Sequence, residues 1–240
     1  MAKISFIIPS YRSADTLERN LPYLLDCISA NHWDAEVIVV DDGSKDGGST
    51  ETVTNQFGVR YITYPENKGK GGAVRRGMQE ANGEFRIFTD ADIPFDRKDI
   101  ERFVYYLDLK EFDVVVGDRT LPGSSYFTEI SGLRKAGSTI FSFIVGRFVA
   151  GGHFDTQCGM KGFRAGVAED LFSMGRINGF AFDVELLYIS LKRNYDIKRL
   201  PVVLRCQEGS SVSVIKHGIR MVFDLFRIKW NHVTGRYTRK

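Results

Sequence analysis

A chain of 240 residues with 43% hydrophobic content can bury one sizeable core and falls near the upper end of a single domain. No apolar run approaches the roughly 20 residues that span a bilayer, since residues 140–150 are broken by Gly146 and Arg147, so an integral membrane protein is not expected. The net charge of +3 is unevenly placed: Lys216, Arg220, Arg227, Lys229, Arg236, Arg239 and Lys240 crowd the last 26 residues against the single acid Asp224, and the remainder is slightly acidic.

The first apolar run, 4–8, follows one lysine and ends at Pro9 without a small-residue cleavage pattern, so it reads as a strand and secretion is not expected. Further β-rich runs at 37–40, 59–63, 85–89 and 114–116 alternate with helical patterns, the rhythm of a parallel sheet. Between the first two, Leu17, Leu21, Leu24, Leu25 and Ile28 recur at helical spacing, with Ser13 where an N-cap would sit. The second half predicts helices over 133–148 and 184–192, a strand over 197–204 and an amphipathic stretch from 214 to about 230. Cys27, Cys158 and Cys206 are widely spaced and form no C-x-x-C pair, which argues against a disulfide framework or structural zinc and for a reducing cytoplasm.

In an open parallel sheet ligands collect at the carboxyl ends of strands, and three polar clusters fall there: Pro9-Ser10-Tyr11, Asp41-Asp42-Gly43-Ser44 and Asp90-Ala91-Asp92. A helix-capping role accounts for one acid of the 41–42 pair, but not for three polar strand ends. If the chain stays extended, Asp90 and Asp92 lie on one side of it and share an ion; hard oxygen ligands suit Mg²⁺ or Mn²⁺, which also binds substrate phosphates. Asn67-Lys68-Gly69-Lys70-Gly71-Gly72-Ala73 opens a helix, and two readings stand side by side: its N–H groups and lysines meet an anion, or its glycines permit close helix–sheet packing. Neither a P-loop nor a G-x-G-x-x-G fingerprint is present, so triphosphate hydrolysis and NAD binding lose support.

Together these segments resemble the inverting family 2 glycosyltransferases of GT-A fold, and more closely the dolichyl-phosphate β-glucosyltransferases. The likeness is carried by I-I-P-S-Y at 7–11, V-V-D-D-G-S at 39–44, N-K-G-K-G-G-A-V-R at 67–75, D-A-D at 90–92, D-T-Q-C-G-M-K at 155–161 and F-D-V-E-L-L-Y-I at 182–189. It implies an α/β fold, a Rossmann-like, mostly parallel sheet flanked by helices, over 1–212, with a basic amphipathic C-terminal helix and tail over 213–240. It also implies that Pro9, Tyr11 and Asp41, with Asp42 beside them, surround a nucleotide base, that Lys70 lies near the donor, and that Asp90 and Asp92 hold the metal on its diphosphate. Arg119, and Arg134 with Ser138, match positions that polyprenyl-phosphate mannosyltransferases use near phosphates. Pro94 stands where mannosyl relatives carry a glutamine ligand.

The implied reaction transfers glucose from a UDP-glucose donor to a polyprenyl phosphate, with GDP-mannose or a sugar-hydroxyl acceptor as alternatives. A phosphate monoester, with its second pKa near about 6, is already ionised at neutral pH and needs no general base. A hydroxyl acceptor needs a carboxylate, for which Asp155, Asp183 and Glu185 are the candidates, though acids ahead of apolar helical runs are often caps or first-turn charges. Ile219, Val222, Phe223, Phe226 and Trp230 fall near one face of the basic tail, which predicts peripheral contact of 215–240 with the cytoplasmic membrane face or, alternatively, packing on the sheet. A non-catalytic binder is the remaining class; nucleic acid is not expected, since no RNA-binding signature accompanies the basic residues.

Overall fold

The computed structural model describes residues 4–125, 155–205 and 214–238. The helix expected over 133–148, with Arg134 and Ser138, lies outside the described residues, as do Cys206, Arg239 and Lys240.

The described chain runs β1 (Ile4–Ser10), α1 (Ala14–Ala30), β2 (Ala35–Asp41), α2 (Ser49–Gln56), β3 (Arg60–Thr63), α3 (Lys70–Glu80), β4 (Phe85–Phe88), α4 (Arg97–Asp108), β5 (Val114–Gly117), β6 (Lys161–Arg164), α5 (Ala165–Met174), α6 (Phe182–Lys192), β7 (Ile197–Leu200) and α7 (Val214–Val233). Its sheet has the order β3-β2-β1-β4-β6-β5-β7 and is parallel except at β6, which opposes both neighbours. The expected mostly parallel sheet is present; the reversed strand was not anticipated.

Alternation along the strands sorts two cores. Ile7, Ile38, Val40, Phe88, Val114 and Val116 face α3, α5, α6 and α7, while Phe6, Ile8, Val37, Val39, Ile87 and Val115 face α1 and α4. Helices cover both faces, which is why these strands are largely apolar on both sides, with Ser5 and Arg86 among the exceptions. Helix α6 is buried along most of its length, beneath the Leu225 and Ile228 side of α7.

Three local expectations change. Ser13 occupies the N-cap position of α1, yet its hydroxyl donates to the Tyr11 carbonyl at 2.9 Å instead of capping the helix. The strand expected to reach residue 204 ends at Leu200, because Pro201 follows, and the chain continues through isolated bridges of Val203 to Ser125 and Leu204 to Phe95. The 90–92 segment is not extended: the Ile93 N–H donates to the Asp90 carbonyl at 2.9 Å, closing a turn, with Ile93 at φ 40°.

Candidate active site

Strands β1, β2 and β4 end side by side, so Ser10, Asp41 and Thr89 open one crevice; the Asp42 N–H donates to the Ser10 carbonyl at 2.8 Å and the Thr89 N–H to the Ile7 carbonyl at 3.0 Å. Pro9 is half-buried there and Tyr11 exposed, with the Arg12 guanidinium 5.4 Å from its ring centroid. The buried hydroxyls of Ser10 and Thr89 have no hydrogen-bond partner among the described residues.

The two acids at the end of β2 hold protein together. Asp41 is buried and accepts from the Ser44 hydroxyl, the Tyr61 hydroxyl at 3.1 Å and the Thr63 hydroxyl at 3.3 Å, so its carboxylate joins the end of β2 to β3 and to the loop that follows β2. Asp42 is held by protein donors. Its oxygens accept from the Tyr64 hydroxyl at 2.6 Å, the Lys68 N–H at 2.7 Å and the Gly69 N–H at 2.8 Å, which satisfies a buried carboxylate and anchors the approach to α3.

Two donors at the start of α3 are taken by the protein itself. The Asn178 carbonyl accepts from the Gly71 N–H at 2.8 Å and the Gly72 N–H at 3.3 Å, satisfying donors that an N-terminus would otherwise present to a ligand. The packing alternative holds for these glycines: a Cβ on Gly71 would lie 2.5 Å from the Phe182 Cβ, and Gly69, at φ 91°, has its missing Cβ position 2.7 Å from the Asn178 carbonyl oxygen.

Lys70 leaves that helix start toward the 90–93 turn and forms an ion pair with the Asp90 carboxylate, whose side chain keeps 37% of its surface exposed. Burial opposes the charge on Lys70, but the combined fields of Asp90, Asp183 and Asp92 hold its pKa above the ordinary lysine value. Asp92 is half-buried on the same turn. Space for the Asp90 carboxylate exists because residue 159 is glycine: a Cβ there would sit 2.8 Å from the Asp90 Cγ and closer to Oδ2.

The proposed bases are engaged elsewhere. Asp155 accepts from the Arg119 N–H, Nε and Nη2, each at 2.8 Å, in a bidentate pair; burial pushes its pKa up, and Arg119 more than reverses this to leave it below the usual carboxylate value. Arg119 is thereby fixed beside β5, at the head of the loop carrying Asp118 and Thr120. Asp183 is buried and accepts from Lys161 Nζ at 2.6 Å; burial raises its pKa despite Lys161 and Lys70 nearby. Glu185 is tied into the protein. It is fully buried and accepts from the Arg176 N–H at 2.8 Å, the Ile177 N–H at 2.7 Å and the Tyr237 hydroxyl at 2.6 Å, so it ties α6 to the 176–177 loop and the C-terminal tail.

Sequence reasoning gave no role to Gly159 or Lys161. Lys161 Nζ also donates to the Cys158 carbonyl at 2.8 Å, so a buried ammonium fixes both Asp183 and the loop that touches Asp90. The signal available was the charged residue ending the 155–161 motif beside a glycine.

Helix α7 turns Leu225, Ile228 and Asn231 into the protein, and leaves Phe223, Phe226 and Trp230 at 70%, 72% and 63% exposure beside Arg227 and Lys229. The Gln157 amide nitrogen lies 3.7 Å from the Met221 sulfur, joining this helix to the loop of Asp155 and Gly159. No described helix is long and apolar enough to cross a membrane.

The chain is 30% identical to a dolichyl-phosphate beta-glucosyltransferase of Dictyostelium discoideum, covering 97% of this chain and 75% of that protein. It is 32% identical to the Homo sapiens protein of the same name, covering 97% and 76%. Its fold is similar to that of glucosyl-3-phosphoglycerate synthase from Mycobacterium tuberculosis, solved with Mn²⁺, uridine diphosphate and glucosyl-3-phosphoglycerate, at a TM-score of 0.69 and 20% identity, covering 95% of this chain and 80% of that one. The family model for glycosyl transferase family 2 matches residues 5–172, and the chain belongs to glycosyl transferase family 2.

Proposed function

We propose that this glycosyltransferase moves glucose from UDP-glucose onto a polyprenyl phosphate, with inversion, at a membrane surface. The observation that carries the proposal is a conjunction: the 155–159 loop touches Asp90 at one end and, through Gln157 and Met221, the helix with the exposed aromatic face at the other. The relatives' names point to the same donor sugar and lipid acceptor.

The site suits a divalent cation. Asp90 and Asp92 supply hard oxygen donors, Asp90 already draws an ammonium to its carboxylate, and Gly159 makes the room that this carboxylate occupies. Bound there, Mg²⁺ or Mn²⁺ would neutralise charge developing on the departing diphosphate. Lys70, adjacent to both carboxylates, contributes a second positive charge to that end of the crevice.

The engagement of the candidate bases favours a phosphate acceptor. Asp155 is locked on Arg119, Asp183 Oδ1 on Lys161 and Glu185 on three donors, so a hydroxyl acceptor would compete with protein donors for its base. A phosphate monoester requires no such step. The exposed face of α7, flanked by Arg227 and Lys229, suits an anionic interface where the lipid acceptor resides, while Leu225 and Ile228 on its other face pack on the core.

The test is transfer of radiolabelled glucose from UDP-glucose, and of mannose from GDP-mannose, to a short polyprenyl phosphate in detergent with Mn²⁺ or Mg²⁺. Metal-dependent glucolipid, lost in Asp92→Ala, is the expected result. Mannolipid instead would reassign the donor, and no glycolipid despite saturable UDP-glucose binding would overturn the phosphate acceptor.

A further inference from the structure

Asp92 is followed by a residue in a conformation its own side chain disfavours. Ile93 is β-branched and has φ 40°, a combination that persists only where the surroundings over-determine it. Its side chain is fully buried in the apolar cluster against α1 and α4, so the turn cannot relax by releasing it.

The polar half of the restraint comes from Arg205. Its Nε donates to the Ile93 carbonyl at 3.0 Å; its Nη2 donates to Asn20 Oδ1 at 2.7 Å and lies 3.4 Å from the Asp92 carbonyl. The guanidinium carbon stands 3.7 Å from the Tyr23 ring centroid, and the Arg205 N–H donates to the Pro94 carbonyl at 2.8 Å. Asn20 is itself buried and fixed, its amide donating to the Thr16 carbonyl at 2.9 Å. Three successive carbonyls, from Asp92 to Pro94, are thus held by one residue braced against α1. A planar fork that stacks on an aromatic ring and spans neighbouring carbonyls is work an ammonium cannot reproduce.

We infer that Arg205 is a positioning residue for the metal-bearing turn: by fixing the Asp92 and Ile93 carbonyls it sets the direction in which the Asp92 carboxylate points. It touches no substrate and acts through the backbone on either side of Asp92. The inference rests on the reading of Asp90 and Asp92 as metal ligands, and predicts that the loss of Arg205 weakens the site's hold on its cation beyond any general loss of stability.

The experiment uses the full chain and measures Mn²⁺ binding in the presence of UDP from the electron paramagnetic resonance signal of free Mn²⁺, alongside the Mn²⁺ dependence of transfer. Arg205→Met is expected to raise the Mn²⁺ dissociation constant about tenfold or more, as changes behind a metal ligand commonly do, and Arg205→Lys to recover only part of it. Arg86→Met is the control: Arg86 pairs with Glu169 and holds the Gly83 and Met78 carbonyls, and its loss should lower the thermal midpoint while leaving the Mn²⁺ constant unchanged. Asn20→Ala, which removes one partner of Nη2, should give a smaller rise in the same direction and keeps the test decisive if Arg205→Met does not fold. An unchanged constant in the folded Arg205 variants and in Asn20→Ala, or an equal rise in Arg86→Met, overturns the inference alone. Wild-type protein that takes up no Mn²⁺ with UDP overturns the metal reading and the inference with it.

Discussion

Replacing Gly159 by alanine is expected to disable the site without unfolding the protein. The backbone there adopts no left-handed conformation, so alanine is acceptable to the chain itself. The new Cβ would lie 2.8 Å from the Asp90 Cγ. Carbon atoms rest at about 3.5–4.0 Å, so the carboxylate must retreat by about 1 Å. Misplacement on that scale costs about 10²-fold in rate, equivalent to about 2.7 kcal/mol of transition-state stabilisation. The stability cost is smaller, because the displaced atoms end a short side chain. The Lys70–Asp90 pair it disturbs is partly exposed and, screened by solvent, contributes at most about 1 kcal/mol. That corresponds to a fall in thermal midpoint of about 2–4 °C for a chain of this size. Steady-state transfer at varied Mn²⁺, paired with a melting curve, separates the two effects. Wild-type kcat/KM and metal dependence in a folded Gly159→Ala protein would refute the reasoning, and so would inactivity that simply tracks unfolding.

Lys161→Met leaves the buried Asp183 carboxylate without its partner and should cost about 3–5 kcal/mol in urea unfolding, most of it regained in Lys161→Met/Asp183→Leu; a loss under about 1 kcal/mol would show that the pair is not what stabilises this region. For Asp155, burial raises the pKa and the Arg119 bonds bring it net below 3.8, so the folded state gains stability above that pH and loses it as pH falls through the lowered value. Asp155→Asn should therefore destabilise by about 1.5–3 kcal/mol near neutrality and approach wild type in acid, whereas a pH-independent difference would contradict the assignment. Substituting Phe226 and Trp230 by serine should weaken binding to vesicles of anionic phospholipid by about tenfold or more per residue, with the melting temperature unchanged, since both side chains are largely exposed; undiminished co-sedimentation would move the membrane contact elsewhere.

The first half of the fold was legible because most of its parallel strands are dominated by apolar residues and three of them run into polar clusters, and the observed strands fall within two or three residues of those runs. Helix α4 lay within reach of the same reasoning, with Asp96 as its N-cap and Ile100, Phe103, Val104 and Leu107 on one face. Strand β6 did not: it reads Lys-Gly-Phe-Arg, and the burial of Lys161 is tolerable only because Asp183 arrives from α6. Helix α2, reading Ser-Thr-Glu-Thr-Val-Thr-Asn-Gln, carries too few apolar residues to announce a face. Residue types located the crevice, but only the fold tells a partly exposed carboxylate, such as Asp90, from buried ones held by several protein donors, such as Asp42 and Glu185. The engagement of the α3 start by Asn178 is likewise a contact between distant segments, invisible to any local pattern.

The reversal of β6 bears on how the crevice comes into being. Strands β1, β2 and β3 join through neighbouring crossovers, whereas β6 must place Arg164 opposite Phe85 before the loop ahead of it can reach Asp90. Closing so long a loop is entropically costly and slow compared with local pairing. During refolding the crevice ends of β1 and β2 can therefore take shape from the first half of the chain, while the wall formed by Gly159 and the Asp155–Arg119 pair waits for a long-range pairing. Donor binding and competence for transfer would then return on different clocks.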